Sequence, residues 1–171
     1  MREKSVLIRR AFVALLLSVV LLAVDQVTKY YVLRDLKPAG SIPVIPHFLE
    51  FSYVENRGAA FGLFQNSMWL VGIFSVAAFI ALLLSLFLYK NHSFFSYCAV
   101  TLIFSGGLGN LIDRLRFGFV VDFIHALFFD YIFNFADCCV TVGAALLVCH
   151  AILLTYREKK RAAETGENEH E

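Results

Sequence analysis

Asp113, Asp122, Asp130 and Asp137 fall within the stretch "GNLIDRLRFGFVVDFIHALFFDYIFNFAD", residues 109–137, among phenylalanines and aliphatic residues. Asp122 in "FVVDFI" and Asp137 in "FNFADCC" have no adjacent basic partner. A buried carboxylate without a partner is costly unless its pKa rises until it is neutral, so acids placed this way are expected to work for their keep. Two of them brought together in a semi-apolar site share a proton and titrate as a pair, which supplies an acid and a base at once. The charged member can take a proton from an attacking water while the protonated member hydrogen-bonds a carbonyl oxygen. A reversal of the chain between Asp122 and Asp137 would join them, which the spacing permits.

Other polar residues fall into three groups. Asn110, Asp113 and Arg114 are three or four apart, or adjacent, so they can share one helical face and hydrogen-bond among themselves. Gly106, Gly107 and Gly109 of "SGGLGN" let backbones approach closely, as small residues do between membrane helices. Asp25 and Lys29 lie four apart on one helical face, and Asn56 stands between a strand pattern and an apolar stretch, where its amide could point into a site. His125 reads as an interfacial histidine, His150 as a packing or cytoplasmic-end residue and Asp130 as a solvated loop acid. No histidine spacing or cysteine pattern suggests a metal, and Cys98, Cys138, Cys139 and Cys149 read as small packing residues.

These residues must be positioned by a membrane protein. The chain has 171 residues, of which 59% are hydrophobic and 18 are Phe, with a net charge of +1. That composition lies outside the soluble range, and so small a charge argues against nucleic acid as a partner. Crossing ~30 Å of hydrocarbon takes roughly 20 helical residues. Four spans are expected, at about 9–33, 67–89, 93–112 and 138–156, and the last three contain uncharged runs flanked by charge. The basic start and apolar core of the first could also be a cleaved signal peptide, but no small-x-small cleavage pattern follows, which favours an uncleaved helix.

An even number of spans puts both termini on one side. The clusters Arg2/Lys4/Arg9/Arg10 and Arg157/Lys159/Lys160/Arg161 mark that side as cytoplasmic. Outer segments at about 34–66 and 113–137 then face outward. The first holds all three prolines, and its Leu49, Phe51 and Tyr53 alternate with Glu50 and Ser52 as a half-buried strand would. The expected fold is an all-α membrane protein of four transmembrane helices with a small extracytoplasmic β-containing segment. Residues 1–157 form one domain, and 158–171 a polar cytoplasmic tail expected to be disordered.

In "DQVTKYYV", "VENRGAAFG", "GNLIDRLRFGFVVDF" and "FNFAD", in this order between four spans, the chain resembles the lipoprotein signal peptidase, or signal peptidase II, family. The resemblance covers nearly the whole chain. It implies an aspartic endopeptidase of the bacterial inner membrane that removes the signal peptide of a prolipoprotein, cutting just before a diacylglyceryl-modified cysteine. By motif, Asp122 and Asp137 match the catalytic pair. Asn56, Asn110, Arg114, Asn134 and Ala136 match positions that shape or contact the site, with Gly106 beside them, and Asp25 and Lys29 match a pair ending the first span, with Asp113 as further support. No cofactor is implied. The partners would be lipidated precursors and membrane lipid, and the enzyme a monomer. The chain departs from the family pattern at "SGGLGN", Phe135 and Cys138, and in a shorter loop between the aspartates.

Two readings from other classes compete. One is a small proton-coupled transporter relaying charge through Asp25, Asp122 and Asp137. The other is a scaffold whose charges are only interfacial. The crowding of the acids toward one membrane face and the absence of a repeat weigh against transport.

Overall fold

The computed structural model of the chain describes residues 2–58, residue 77 and residues 93–168. The expected span at 67–89 lies outside the described residues save for Ala77, and so do the "AAFGLF" segment and the turn at 90–92. Among the described residues, three helices are long and apolar enough to cross a membrane, Arg9–Ala39, Phe94–Phe117 and Phe135–Arg161. Each overruns the uncharged run that marks it in the sequence, for reasons visible at its ends.

Helix α1 (Arg2–Tyr31) passes into a single π-helical stretch, Val32–Leu36, and then into a short helix α2, Lys37–Ala39. The first helical rod therefore ends some residues beyond the expected 33. Pro38 sits in the first turn of α2, directly after the π-helical stretch whose last bond runs from the Lys37 N–H to the Val32 carbonyl, and the rod continues past it for one residue. The rod ends at Gly40, whose φ of 80° suits glycine and whose N–H donates to the Leu36 carbonyl at 2.8 Å.

Helix α3 (Phe94–Phe117) starts at a reciprocal box between Ser93 and Ser96 and stops at Gly118, with φ 78°. It therefore carries Asp113 and Arg114 within the helix, where an outer segment from 113 was expected. Helix α4 (Phe135–Asn168) begins three residues before the expected 138 and runs on through the basic cluster to Asn168. A tail expected to be unstructured from 158 is thus helical up to that residue, where alanine, glutamate, lysine and arginine are good helix formers.

The sheet has four antiparallel strands in the order β1 (Ser41–Ile45), β2 (Leu49–Asn56), β3 (Val120–Ala126) and β4 (Ile132–Phe133). β2 is the strand its alternation predicts. β3 was not expected: it fills the middle of the second outer segment and pairs Asn56 with Val120 and Glu50 with His125. Gly40 joins α2 to β1, residues 118–119 join α3 to β3, and Asn134 joins β4 to α4, so the sheet sits at the ends of these three helices. Val32 and Leu36 meet Val121 and Phe123 of β3 in an apolar cluster under it. The π-helical stretch thus presents two side chains, four residues apart, to the underside of the sheet.

The helices are apolar outside and polar inside. Phe12, Leu15, Leu16, Val19 and Val20 of α1 and Val142, Val148 and Ile152 of α4 are exposed, while Ser18, Asp25, Lys29, Thr101, Ser105, Asn110 and Asp113 are buried. A lipid solvent explains this inversion, since it rewards apolar surface and leaves polar groups to satisfy one another inside. α3 and α4 pack closely through glycine. A Cβ on Gly143 would come within 2.6 Å of the Ile103 side chain and 2.9 Å of the Ala99 carbonyl.

Candidate active site

Two elements deliver the two acids. β3 carries Asp122, which is 1% exposed and flanked by buried Val121 and Phe123. α4 carries Asp137 in its first turn, and "NFAD" explains why the helix starts there. The Asn134 side-chain oxygen accepts the Asp137 N–H at 2.9 Å, and an Asp137 carboxylate oxygen accepts the Asn134 N–H at 3.1 Å. This reciprocal arrangement satisfies helix donors that would otherwise be orphaned and fixes the Asp137 side chain by the act of starting the helix.

Three asparagine amides hold the carboxylates. Asn56 donates to Asp122 Oδ2 at 2.8 Å, and Asn134 donates to Asp122 Oδ1 at 2.6 Å. Asn110 donates to Asp137 Oδ1 at 2.8 Å. Asn56 ends β2 and is itself held by the Gly58 N–H on its oxygen at 3.0 Å. Its amide thus shapes the site by aiming Asp122. Burial pushes the Asp122 carboxyl up to about 7, and the nearby Asp137 charge adds to the rise. The Asn56 and Asn134 donors and the Lys29 charge oppose it. A carboxyl in that range beside a second one can hold a proton near neutral pH and still give it up.

Behind the pair lies a buried ion cluster. Asp25, Lys29 and Asp113 are 1%, 2% and 0% exposed. Lys29 Nζ lies 3.0 Å from Asp25 Oδ2 and 2.9 Å from Asp113 Oδ2. Both acids also take backbone N–H groups: Ala136 N–H reaches the other Asp25 oxygen, Oδ1, at 3.1 Å, and Val121 N–H reaches Asp113 Oδ2, the oxygen that also faces Lys29, at 3.1 Å. Ala136 and Val121 each lie one residue before an acid of the pair. The cluster therefore pins both acid-bearing segments to α1 and α3, and buried charges are affordable here because each is paired and hydrogen-bonded.

The small residues fit this plan. A side chain on Gly106 would collide with the Ala136 carbonyl, and one on Gly109 would collide with the Asp25 carboxylate. Ala136 is fully buried between these contacts. Asp113 does not turn to its neighbours on α3, as the shared helical face suggested. It pairs with Lys29 of α1, while Arg114 Nη1 donates to the Asn110 carbonyl at 3.3 Å. Among the described residues Lys29 is the cation in ion-pair contact with the Asp113 carboxylate, while Arg114 lies close enough for the charges of Asp137, Asp122 and Asp113 to act on it.

Gln26 belongs to the site and was not singled out from the sequence. Its amide nitrogen lies 3.1 Å from Asp25 Oδ2, 3.2 Å from the Gly109 carbonyl and 3.2 Å from Asp113 Oδ1. A second polar residue inside "DQVTK" was the available signal. His125 stands apart, 2.9 Å from Glu50 across β2 and β3. His150 lies 2.8 Å from Ser93, the residue that starts α3 at its other end, and Asp130 is exposed.

Comparison with known proteins gives the family of the chain. Residues 17–153 match the family model of signal peptidase (SPase) II, Peptidase_A8. The chain is 46% identical to the lipoprotein signal peptidase of Caldanaerobacter subterraneus over 123 residues, which cover 72% of this chain and 84% of that one. It is 40% identical to that of Clostridioides difficile over 150 residues, covering 86% and 98%. A bacterial membrane enzyme solved by the in meso method at 2.3 Å superposes with a TM-score of 0.77 at 37% identity, over 84% of this chain and 89% of its own. With a family model spanning most of its length and relatives this similar, the chain belongs to the signal peptidase II family.

Proposed function

We propose that the protein is an aspartic endopeptidase that removes the signal peptide of diacylglyceryl-modified prolipoproteins, with Asp122 and Asp137 as the catalytic pair. The observation that carries this reading is the convergence of two carboxylates from separate elements, Asp122 buried and Asp137 half-buried, on one network of asparagine amides. In the resting pair one acid is charged and the other protonated. A water between them gives its proton to the charged acid as it attacks the scissile carbonyl, while the protonated acid donates a hydrogen bond to the carbonyl oxygen. The pair then holds two protons; one passes to the leaving amine as the C–N bond breaks and the carbonyl re-forms, which restores the starting state with one proton on the pair. Two carboxylates and a water suffice for this cycle, so no metal or cofactor is called for.

Arg114 suits a substrate-holding role. Its guanidinium feels the charges of Asp137, Asp122 and Asp113, and its one hydrogen bond among the described residues, to the Asn110 carbonyl, leaves donors for a substrate carbonyl. The exposed apolar flanks of α1 and α4 border lipid, where the acyl chains of a substrate can stay while the scissile bond reaches the acids. Acyl binding energy would then position that bond. We place the enzyme in the bacterial cytoplasmic membrane with four spans, both termini inside and the acid pair near the outer face. A carboxylate relay for transport would use the same acids, but family membership favours hydrolysis.

The test is cleavage of matched precursor peptides with and without the diacylglyceryl group by the purified full-length protein. Cleavage before the cysteine, much faster for the lipidated peptide, is expected. Equal rates, or ion flux without cleavage, would overturn the reading.

A further inference from the structure

We infer that Lys29 is a positioning residue of the active site, acting through the Asn110 amide to keep a donor aimed at Asp137. The inference rests on the reading of Asp122 and Asp137 as the catalytic pair. An ammonium has three donors, and here all three are accounted for. Two go to Asp25 and Asp113, and the third goes to Asn110 Oδ1 at 2.9 Å, 81 residues away in the chain. A counter-ion serving only to balance the two carboxylates has no need of that third contact.

The contact decides which way the amide faces. Asn110 Oδ1 has two lone pairs, one taken by Lys29 and the other by Asn134 Nδ2 at 3.1 Å. Rotating the amide by half a turn would set its NH₂ against an ammonium and a second NH₂ and its oxygen against a carboxylate. With Lys29 in place the nitrogen must face Asp137 Oδ1, which it meets at 2.8 Å. The same step reaches the second acid, because the Asn134 NH₂ that meets Asn110 also donates to Asp122 at 2.6 Å. One fixed charge on α1 thus sets the direction of the Asn110 donor and heads a chain that continues to Asp122 through Asn134, whose oxygen is held separately by the Asp137 N–H. Replacing Lys29 removes one of the two donors that hold the Asn110 oxygen and leaves Asn134 Nδ2 alone on it, so the hold that keeps the nitrogen on Asp137 is weakened.

The experiment measures kcat and KM separately for the full-length protein with a diacylglyceryl precursor peptide, with thermal unfolding as the folding control. Lys29→Met is expected to lower kcat by about 10²-fold while KM changes less than about threefold, since general acid-base assistance is worth about 10²–10⁴-fold. Lys29→Met also strips Asp25 and Asp113 of their counter-ion. The companion variant is therefore Lys29→Met with Asp113→Asn, which restores the net charge of the buried cluster. It is expected to fold and to remain impaired in kcat. Recovery of parental kcat in that charge-balanced variant would show that Lys29 is only a counter-ion and would overturn the inference. A folded Lys29→Met protein with parental kcat would overturn it as well. Asp122→Asn is assayed beside them: if it is active, the acid-pair reading itself fails, whereas an inactive Asp122→Asn beside an active Lys29→Met sinks only the role given to Lys29.

Discussion

Asn134 donates to Asp122 at 2.6 Å from the residue that starts the helix bearing Asp137. One asparagine therefore does two jobs: its oxygen caps α4 and its nitrogen aims the acid on β3. The two can be separated by substitution. Serine caps helices about as well as asparagine but is too short to reach Asp122 in the same way. Asn134→Ser should stay within about 1 kcal/mol of parental stability and lose activity by about 10²-fold, whereas Asn134→Ala should lose that activity and a further ~1 kcal/mol or more of stability. Chemical or thermal unfolding beside a cleavage assay checks both. Parental activity in Asn134→Ser would show that the donor to Asp122 is dispensable.

The contact between α3 and α4 makes a second prediction. Gly106 lies against the Ala136 carbonyl, one residue before Asp137, so an added methyl must push the start of α4 away from α3. Overpacking of this kind costs about 1–3 kcal/mol. Gly106→Ala should therefore lower the unfolding temperature and impair cleavage together. Gly107→Ala is its control, since no atom of the described residues lies within 4 Å of a Cβ there, and it should resemble the parent in both measurements.

What the sequence alone made legible follows from which forces leave a local trace. Asp122 and Asp137 stand out because an acid in an apolar run has few bland explanations, and β2 stands out because Leu49, Phe51 and Tyr53 alternate. β3 did not, since "VVDFIHA" is a short apolar run whose periodicity fits more than one element. The Asp25–Lys29 pair is readable from its spacing of four. The Asp113 and Asn110 that complete it are not, because their pairing is made by packing α1 on α3 across more than 80 residues of chain. Helix ends were misjudged by a few residues wherever charged side chains such as Asp113 and Asp137 stay helical by finding buried partners.

The state of Asp122 makes a pH prediction for stability. Its carboxyl lies near 7 in the folded protein, above the ordinary value of 3.8, chiefly through burial and then through the charge of Asp137. A carboxyl with a raised folded pKa binds its proton more tightly when folded. Its contribution to stability is complete below about 4 and is lost as pH rises through about 7. The parent should therefore become less stable across that window, and Asp122→Asn, which cannot ionise, should show a flatter profile. Thermal unfolding in one detergent between pH 4 and pH 8 measures the difference. Parallel profiles for the two proteins would mean that Asp122 is not held protonated by its surroundings.

The last prediction concerns the pair as a unit. If Asp122 and Asp137 pass one proton between water, carbonyl and leaving amine, neither half of the cycle survives loss of either carboxylate. Asparagine keeps the size and some of the hydrogen bonds, so the folded network around Asn56, Asn110 and Asn134 should persist. Asp122→Asn and Asp137→Asn should each lower cleavage by at least about 10²-fold, and the double variant should be little worse than either, because groups that act together are strongly non-additive. Asp130→Asn changes an exposed loop acid and should cleave like the parent. The pH profile of parental kcat/KM should be bell-shaped, with two limbs that belong to the pair rather than to either residue. Losses that multiply in the double variant would mean that the two acids act independently, and substantial cleavage by either folded single variant would falsify their assignment as the catalytic pair.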